Sequence, residues 1–407
     1  MRAALPSQPE SAYAWLRLAA SLALMTISGV GMYAVAVVLP AVQAEFGVSR
    51  SGASLPYAAT MIGFGVGGIL MGRLSDRFGV MVPVLIGAVC LGLGFVVAGN
   101  SSSLWQFVLA QGLLTGLLGT SAAFAPLVAD TSLWFTRRRG IAVAICASGN
   151  YLAGALWPTL LQHYIEIVGW RETFIGVGLF CTAAMVPLAF ALRRRPPELG
   201  PALVAGTSSM KEINISRNAL FVLLCIAGVS CCVAMSMPQV HIVAYCSDLG
   251  FTPARGAEML SLMLGFGIVS RLASGWICDR IGGRRTLLLG SSLQMLALVL
   301  FLPFHGLASL YTLSALFGLF QGGIVPAYAV IIREFYPPQE AGMRVATVLM
   351  ATVFGMALGG WMSGVIYDLT GSYQIAFING ILWNLLNVAI AVGLLRRPAR
   401  PVQQAWS

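Results

Sequence analysis

Arg271 lies within a long apolar run near 256–278, eight residues before Asp279, the charged residue that closes it. On a helix rising about 1.5 Å per residue that separation is roughly 12 Å, which places Arg271 well inside a hydrocarbon core about 30 Å thick. An arginine at such depth costs about 2.5–3.5 kcal/mol or more. Its guanidinium keeps its proton, and its planar fork matches a carboxylate bidentately. No Asp or Glu stands at similar depth in the chain, so the expected counter-ion is a small organic anion from outside it. Gly267, Ser270, Ser274 and Gly275 share or abut the face of Arg271, and their small side chains leave room for a ligand.

Other residues at comparable depth are Tyr33, Thr120, Ser121, Phe124, Asn150, Gln321 and Tyr328. They are candidate substrate-binding residues, because small-molecule sites combine a few polar anchors with apolar walls. Each suits an interhelical hydrogen bond or packing contact at least equally well. His241 is the one histidine well inside an apolar run. Imidazole titrates near neutrality, so it is the candidate proton-coupling group, although a buried, satisfied, neutral histidine is the more frequent outcome. Trp157, Trp361 and Trp383 read as packing or interfacial residues. The eight cysteines all fall in or at the ends of apolar runs without ligand-spaced partners, so neither a metal nor disulfides are expected. No His-Glu-x-x-His motif, intramembrane carboxylate pair or nucleophile–base set is present. Neither an enzyme nor a cofactor is expected.

The elements that must hold these residues are transmembrane helices. Only 9% of the 407 residues are charged and 58% are hydrophobic, with a mean hydropathy of +0.85, whereas a soluble domain is about 25% charged. Such a chain needs lipid as its solvent. Apolar runs of spanning length fall near 16–40, 53–72, 82–99, 104–130, 140–163 and 170–192, then near 218–246, 256–278, 286–304, 308–332, 344–367 and 374–395. An all-α membrane protein of about twelve transmembrane helices is expected. The first apolar stretch is longer than a signal-peptide core and lacks a convincing small-residue cleavage site, so it is read as a retained span. With both termini placed in the cytoplasm, only Arg50, Arg171 and Arg255 fall in outer loops and Arg271 in a span, while the other Arg and Lys residues gather inside. The net charge of +10 is thus a topology signal, with anionic lipid a secondary contact and nucleic acid excluded as a partner. A multi-pass protein of the cell (inner or plasma) membrane is expected, with a monomer as the working form.

The chain repeats itself. Gly72-Arg-Leu-Ser-Asp76-Arg77-Phe-Gly79 recurs as Gly275-Trp-Ile-Cys-Asp279-Arg280-Ile-Gly282, and Pro126 and Phe135 recur as Pro326 and Phe335. Two related halves follow: a six-helix bundle over 1–192, a cytoplasmic linker over 193–217, and a second bundle over 218–407 with a short cytoplasmic tail. Parallel halves place a substrate site at their interface near the bilayer midplane. In the repeated loops, glycine permits a tight turn, Asp can accept from a facing helix N-terminus, and Arg can pair with carboxylates. Gly72, Asp76, Arg77, Gly79, Gly275, Asp279 and Arg280 are therefore candidates for latching one half to the other, and Arg139 and Arg344 join them as basic gating positions at helix starts. The repeat partner of Arg271 is Gly68, so one half alone carries the fixed charge. One cation suits one carboxylate.

The doubled Gly-x-x-x-Asp-Arg-x-Gly loop in a twelve-span chain resembles the signature of the major facilitator superfamily across essentially the whole length. More narrowly, Trp134-Phe-Thr-Arg-Arg-Arg-Gly-Ile-Ala-Val-Ala-Ile-Cys-Ala-Ser-Gly149 resembles the fifth-span signature of monocarboxylate transporters. The stretches His241–Gly250, Arg333–Gly342 and Tyr367–Tyr373 resemble bacterial members of that family and the related oxalate/formate antiporters. The resemblance implies two pseudo-symmetric six-helix bundles and a secondary active transporter of a small monocarboxylate, lactate- or pyruvate-like, working by alternating access with proton coupling. The alternatives are an anion exchanger of the oxalate/formate type, a drug exporter, or a substrate-sensing receptor. Against a drug exporter, the fifth span only partly echoes a Gly-Pro-x-x-Gly-Gly run. Against a receptor, the linker and tail are short. The family pattern is not complete. Animal members carry a first-span lysine where this chain has Val37, and an aspartate four residues before the eighth-span arginine, where it has Gly267. The second cation of oxalate exchangers, in the eleventh span, is absent between Arg344 and Asp368.

Overall fold

The computed structural model describes residues 10–194, 211–213, 215–397 and 399–401. Among these residues the chain forms twelve helical spans: α1 Ala12–Phe46, α2 Arg50–Phe78, α3 Met81–Gly99, α4 Leu104–Trp134, α5 Arg139–Val168 and α6 Trp170–Phe190, then α7 Arg217–Asp248, α8 Pro253–Ile281, α9 Gly283–Leu300, α10 Leu307–Phe335, α11 Pro338–Thr370 and α12 Tyr373–Leu395. A short antiparallel ribbon pairs β1, Lys211–Ile213, with β2, Ala399–Pro401. Helix starts follow capping chemistry. The side chains of Ser49, Ser103, Ser216 and Ser372 accept from backbone N–H groups in the first turns of α2, α4, α7 and α12, while Pro253 and Pro338 open α8 and α11.

Eleven of the spans are long and apolar enough to cross a membrane; α9 is the exception. It spans 18 residues and opens on Arg284 and Arg285. Two of its polar residues face inward: Gln294 donates to the Cys231 carbonyl at 3.1 Å, and Ser291 accepts from Asn384 and Asn387. The two arginines at its start lower its hydropathy most, and the inward polar residues lower it further. Several helices also run past the expected apolar windows. α1, for example, extends six residues beyond the 16–40 window to Phe46.

The repeat is visible in backbone geometry. Gly79 and Gly282, which end the two repeated loops, share one left-handed conformation with φ of 83° and 82°, a region glycine enters without strain. A Cβ at Gly116 would lie 2.5 Å from the Thr60 carbonyl oxygen, and one at Gly318 would lie 1.9 Å from that of Met263. Backbones therefore touch at equivalent points in both halves, as small residues allow in membranes. Midway along, the corresponding helices both depart from α geometry: α4 is a π-helix over Ala110–Thr120, and α10 breaks at Gly322–Gly323. α1 breaks at Gly29.

The first half contains a buried ion pair. Arg17 in α1 grips Asp130 in α4 with two bonds of 2.8 Å, lies 4.8 Å from the Trp134 ring, and donates to the Arg194 carbonyl. The halves meet where α1, α2 and α5 face α7, α8 and α11, with α2 lying along α11 and α5 along α8.

Candidate functional site

Arg271 sits on α8 where it faces α5 of the other half. Its Nη1 donates to the Ala147 carbonyl at 3.4 Å, and its guanidinium carbon lies 4.7 Å from the centre of the Tyr151 ring. Among the described residues it forms no ion pair, and its buried Nε has no hydrogen-bond partner. Two further buried groups nearby also lack one: Ser270 Oγ, next in sequence, and Gln321 Nε2, whose neighbour Gly322 packs against Ser270. Arginine Nε and amide Nε2 can only donate, and a hydroxyl can. Around Arg271 the second half therefore has buried donors without acceptors, which an acceptor-rich ligand would satisfy.

Tyr33 belongs to the same cluster. It is buried on α1, its ring against Gly154 of α5, and its phenol is within electrostatic reach of Tyr151 and Arg271. Gln321 is held by Gln239, whose Nε2 donates to its Oε1 at 3.0 Å.

The other candidates are distributed differently. Thr120 donates to the Ser28 carbonyl at 3.2 Å, tying α4 to the break in α1. Ser121 donates to Leu117 within its own helix and packs against Gly67. Phe124 makes an edge-to-face contact with Phe64. Asn150 faces the Gly29 break. Tyr328 is fully buried inside the second half, donating to Asn387 Oδ1 at 3.1 Å. Among the described residues none of these five hydrogen-bonds to Arg271, whose own bond goes to Ala147; each makes a packing or hydrogen-bonding contact of its own.

His241 is fully buried at the end of the interface that carries Arg50, and it belongs to a network joining the halves. Arg50 pairs with Asp248 at 3.0 Å and donates to the Tyr373 hydroxyl at 3.2 Å. It also lies over the rings of Tyr367 and Tyr373. The backbone N–H groups of Arg50 and Ser51 donate to the two Asp368 oxygens, each at 2.8 Å. Tyr373 meets His241 Nδ1 at 3.0 Å, and His241 Nε2 lies 2.7 Å from the Gly360 carbonyl. A carbonyl only accepts, so the proton is on Nε2 and Tyr373 donates to Nδ1.

At the opposite end, Asp76, Arg77, Asp279 and Arg280 are exposed. Among the described residues the two carboxylates form no hydrogen bond or ion pair between the halves. Arg77 lies over its own neighbour Phe78 and Arg280 over Trp276. Gly72 and Gly275 face open space. Arg344 pairs with Glu340 one turn away on α11. The side chain of Arg139 lies outside the described residues. A crevice between α5 and α8, lined by Thr159, Glu258, Ser261 and Tyr311, does not include Arg271.

Two features escape a reading by residue type. Tyr151 neighbours the more conspicuous Asn150; the usable signal is helical phase, since it stands one turn beyond Ala147, which also faces Arg271. Arg50 reads as a loop charge. The usable signal is the pair of acidic residues, Asp248 and Asp368, at the ends of two distant spans.

Comparison with known proteins agrees with this architecture. The family model described as Major Facilitator Superfamily matches residues 21–309 and 223–406. The MFS-type transporter opdF of Penicillium oxalicum is 29% identical over 70% of this chain and 66% of its own length. Monocarboxylate transporter 13 of Bos taurus is 28% identical over 80% and 75%, and the MFS-type transporter YcxA of Bacillus subtilis is 26% identical over 81% and 82%. In fold, the chain is similar to a bacterial homologue of the human lysosomal transporter Spinster in an inward-facing, occupied conformation, with a TM-score of 0.76, 12% identity, and 95% and 98% of the two chains covered. Two related bundles, a polar cluster where they meet and a family match along nearly the whole chain lead to one conclusion: the chain belongs to the Major Facilitator Superfamily and is a multi-pass membrane transporter, not an enzyme.

Proposed function

We propose that this transporter carries a small monocarboxylate, lactate- or pyruvate-like, by alternating access, with Arg271 as the anchor for the carboxylate. The observation that carries this reading is a cationic fork at the interface between halves with no internal carboxylate and a buried Nε without an acceptor. The unpartnered donors of Ser270 and Gln321 and the phenol of Tyr33 supply the neutral part of the site. The similarity to monocarboxylate transporter 13 supports the choice of substrate class. One fixed cation favours one carboxylate over a dicarboxylate.

In this reading the protein lies in the cell membrane with both termini in the cytoplasm, so the Arg50 end faces outward and the Asp76 and Asp279 loops face inward. The conformation is closed outside and open inside. Protons move with the acid, and His241 couples them. Protonating Nδ1 turns it from acceptor to donor and adds a positive charge beside Arg50, which loosens the outer seal.

The test is counterflow of labelled lactate, pyruvate, formate and oxalate in proteoliposomes, with and without a pH gradient. Uptake of a monocarboxylate is expected, and uptake of none would sink the reading. Arg271→Lys keeps the charge but loses the fork, and the loss of a charge-assisted hydrogen bond worth about 1.5–3 kcal/mol predicts uptake reduced roughly ten- to hundredfold. Near wild-type uptake would remove Arg271 from the site.

A further inference from the structure

The guanidinium of Arg271 meets α5 at two points one helical turn apart, the Ala147 carbonyl and the face of Tyr151. At 3.4 Å the carbonyl bond is long and therefore weak, so the ring is the firmer contact. Tyr151 is 8% exposed and fills a notch in α8: a Cβ at Gly267 would come within 2.5 Å of ring atom Cε1. Gly267 stands four residues before Arg271, on the same helix face. The ring is thus wedged between α5 and the surface of α8 that bears the cation.

We infer that Tyr151 is a positioning residue of the transport site, its ring face holding the Arg271 guanidinium so that the Nε–Nη2 edge receives the carboxylate of a short-chain acid. The inference rests on the reading of Arg271 as the anion anchor. The face of an aromatic ring attracts a cation but does not compete for N–H donors, which lie in the guanidinium plane. A carboxylate in the same place would occupy the fork that the ring leaves free. Nη1 is turned to the Ala147 carbonyl, and Nε is buried without an acceptor. The side-on edge is the one that remains for bidentate binding. Tyr33, whose ring packs against Gly154 three residues along α5 from Tyr151, is the neighbouring phenol on α1.

The test measures KM and Vmax of the full chain in proteoliposomes with labelled L-lactate, or with pyruvate or formate where the wild type prefers one. Tyr151→Leu removes the ring face and is expected to raise KM roughly 2- to 30-fold with Vmax within about twofold. Tyr151→Phe keeps the face and should stay near wild type in both. Gly267→Ala, which pushes the ring away, should raise KM similarly and add little to Tyr151→Leu, because the two changes act on one contact; it also carries the test where the leucine variant fails to reach the membrane. An unchanged KM in Tyr151→Leu and Gly267→Ala, a fall in Vmax alone, or an equal loss in Tyr151→Phe would overturn the inference. Arg271→Gln in the same assay separates the two claims. Wild-type transport by that variant overturns the anchor itself, whereas its inactivity beside an unaffected Tyr151→Leu overturns only the positioning role.

Discussion

The two ends of the interface between the halves are built on different principles. At the Arg50 end, the first half sends one cation and two backbone N–H groups into a set of acids and phenols on α7, α11 and α12 of the second. At the other end, the duplicated loops carry Asp76 and Asp279 at matching positions, yet each side chain stays on its own side. Duplication gave both halves the same loop, but the ion pair and hydrogen bonds at the Arg50 end join residues whose repeat partners do not make them. The repeat partner of Arg50 is Pro253, which cannot supply such a charge. The partner of Asp248 is Glu45, which bonds to Arg171 and Trp170 within the first half, whereas Asp248 reaches across. Asymmetry between matched positions lets one end be cross-linked between the halves while the other is not.

The strongest way to break this contrast is Arg50→Gln. It leaves Asp248 without its cation while the backbone bonds to Asp368 remain, and for this part-buried pair the expected cost to the sealed state is about 1–3 kcal/mol. Accessibility to a thiol reagent of a cysteine placed at Ser51 should rise in proportion; unchanged accessibility would show that the seal does not depend on this charge. A smaller effect is expected from His241→Gln, which keeps hydrogen-bonding capacity but cannot take up a proton. Accumulation driven by a pH gradient should weaken while exchange persists, and an unaltered pH dependence would reject the coupling role. The smallest effect is expected at the end that carries the duplicated loops. Asp76→Asn and Asp279→Asn should leave the stability of this conformation within about 0.5 kcal/mol, as for ordinary surface positions, and a thermal shift assay that finds more would mean the loops already act between the halves here.

How far the chain could be read from its residues depended on which coordinate was asked for. Depth along a helix was legible: the count from Arg271 to Asp279 places the arginine inside the core, and it meets the other half there without a carboxylate partner. The twelve spans and the duplication were legible for the same reason. Azimuth was not. Spans that are apolar on every side carry no stripe to show which neighbour a residue faces, so Tyr328 could be placed at the right depth while its hydroxyl turned to Asn387 inside its own half. Asn150 stands out for its polarity, whereas Tyr151 beside it has the angle that meets Arg271. Arg50 was hidden differently: a charge at a helix start looks solvated until the two distant acids that meet it are placed in space.

The Arg17–Asp130 pair places strong constraints on divergence. A lone charge left in the interior of the first half would cost about 3–5 kcal/mol, but a matched pair of apolar residues of similar volume could take the same space at little penalty. Descendants of this chain can therefore keep both residues or lose both, and a lineage that changes only one must pass through a poorly folding ancestor. Related transporters should show the two positions changing together, even though neither touches the cargo.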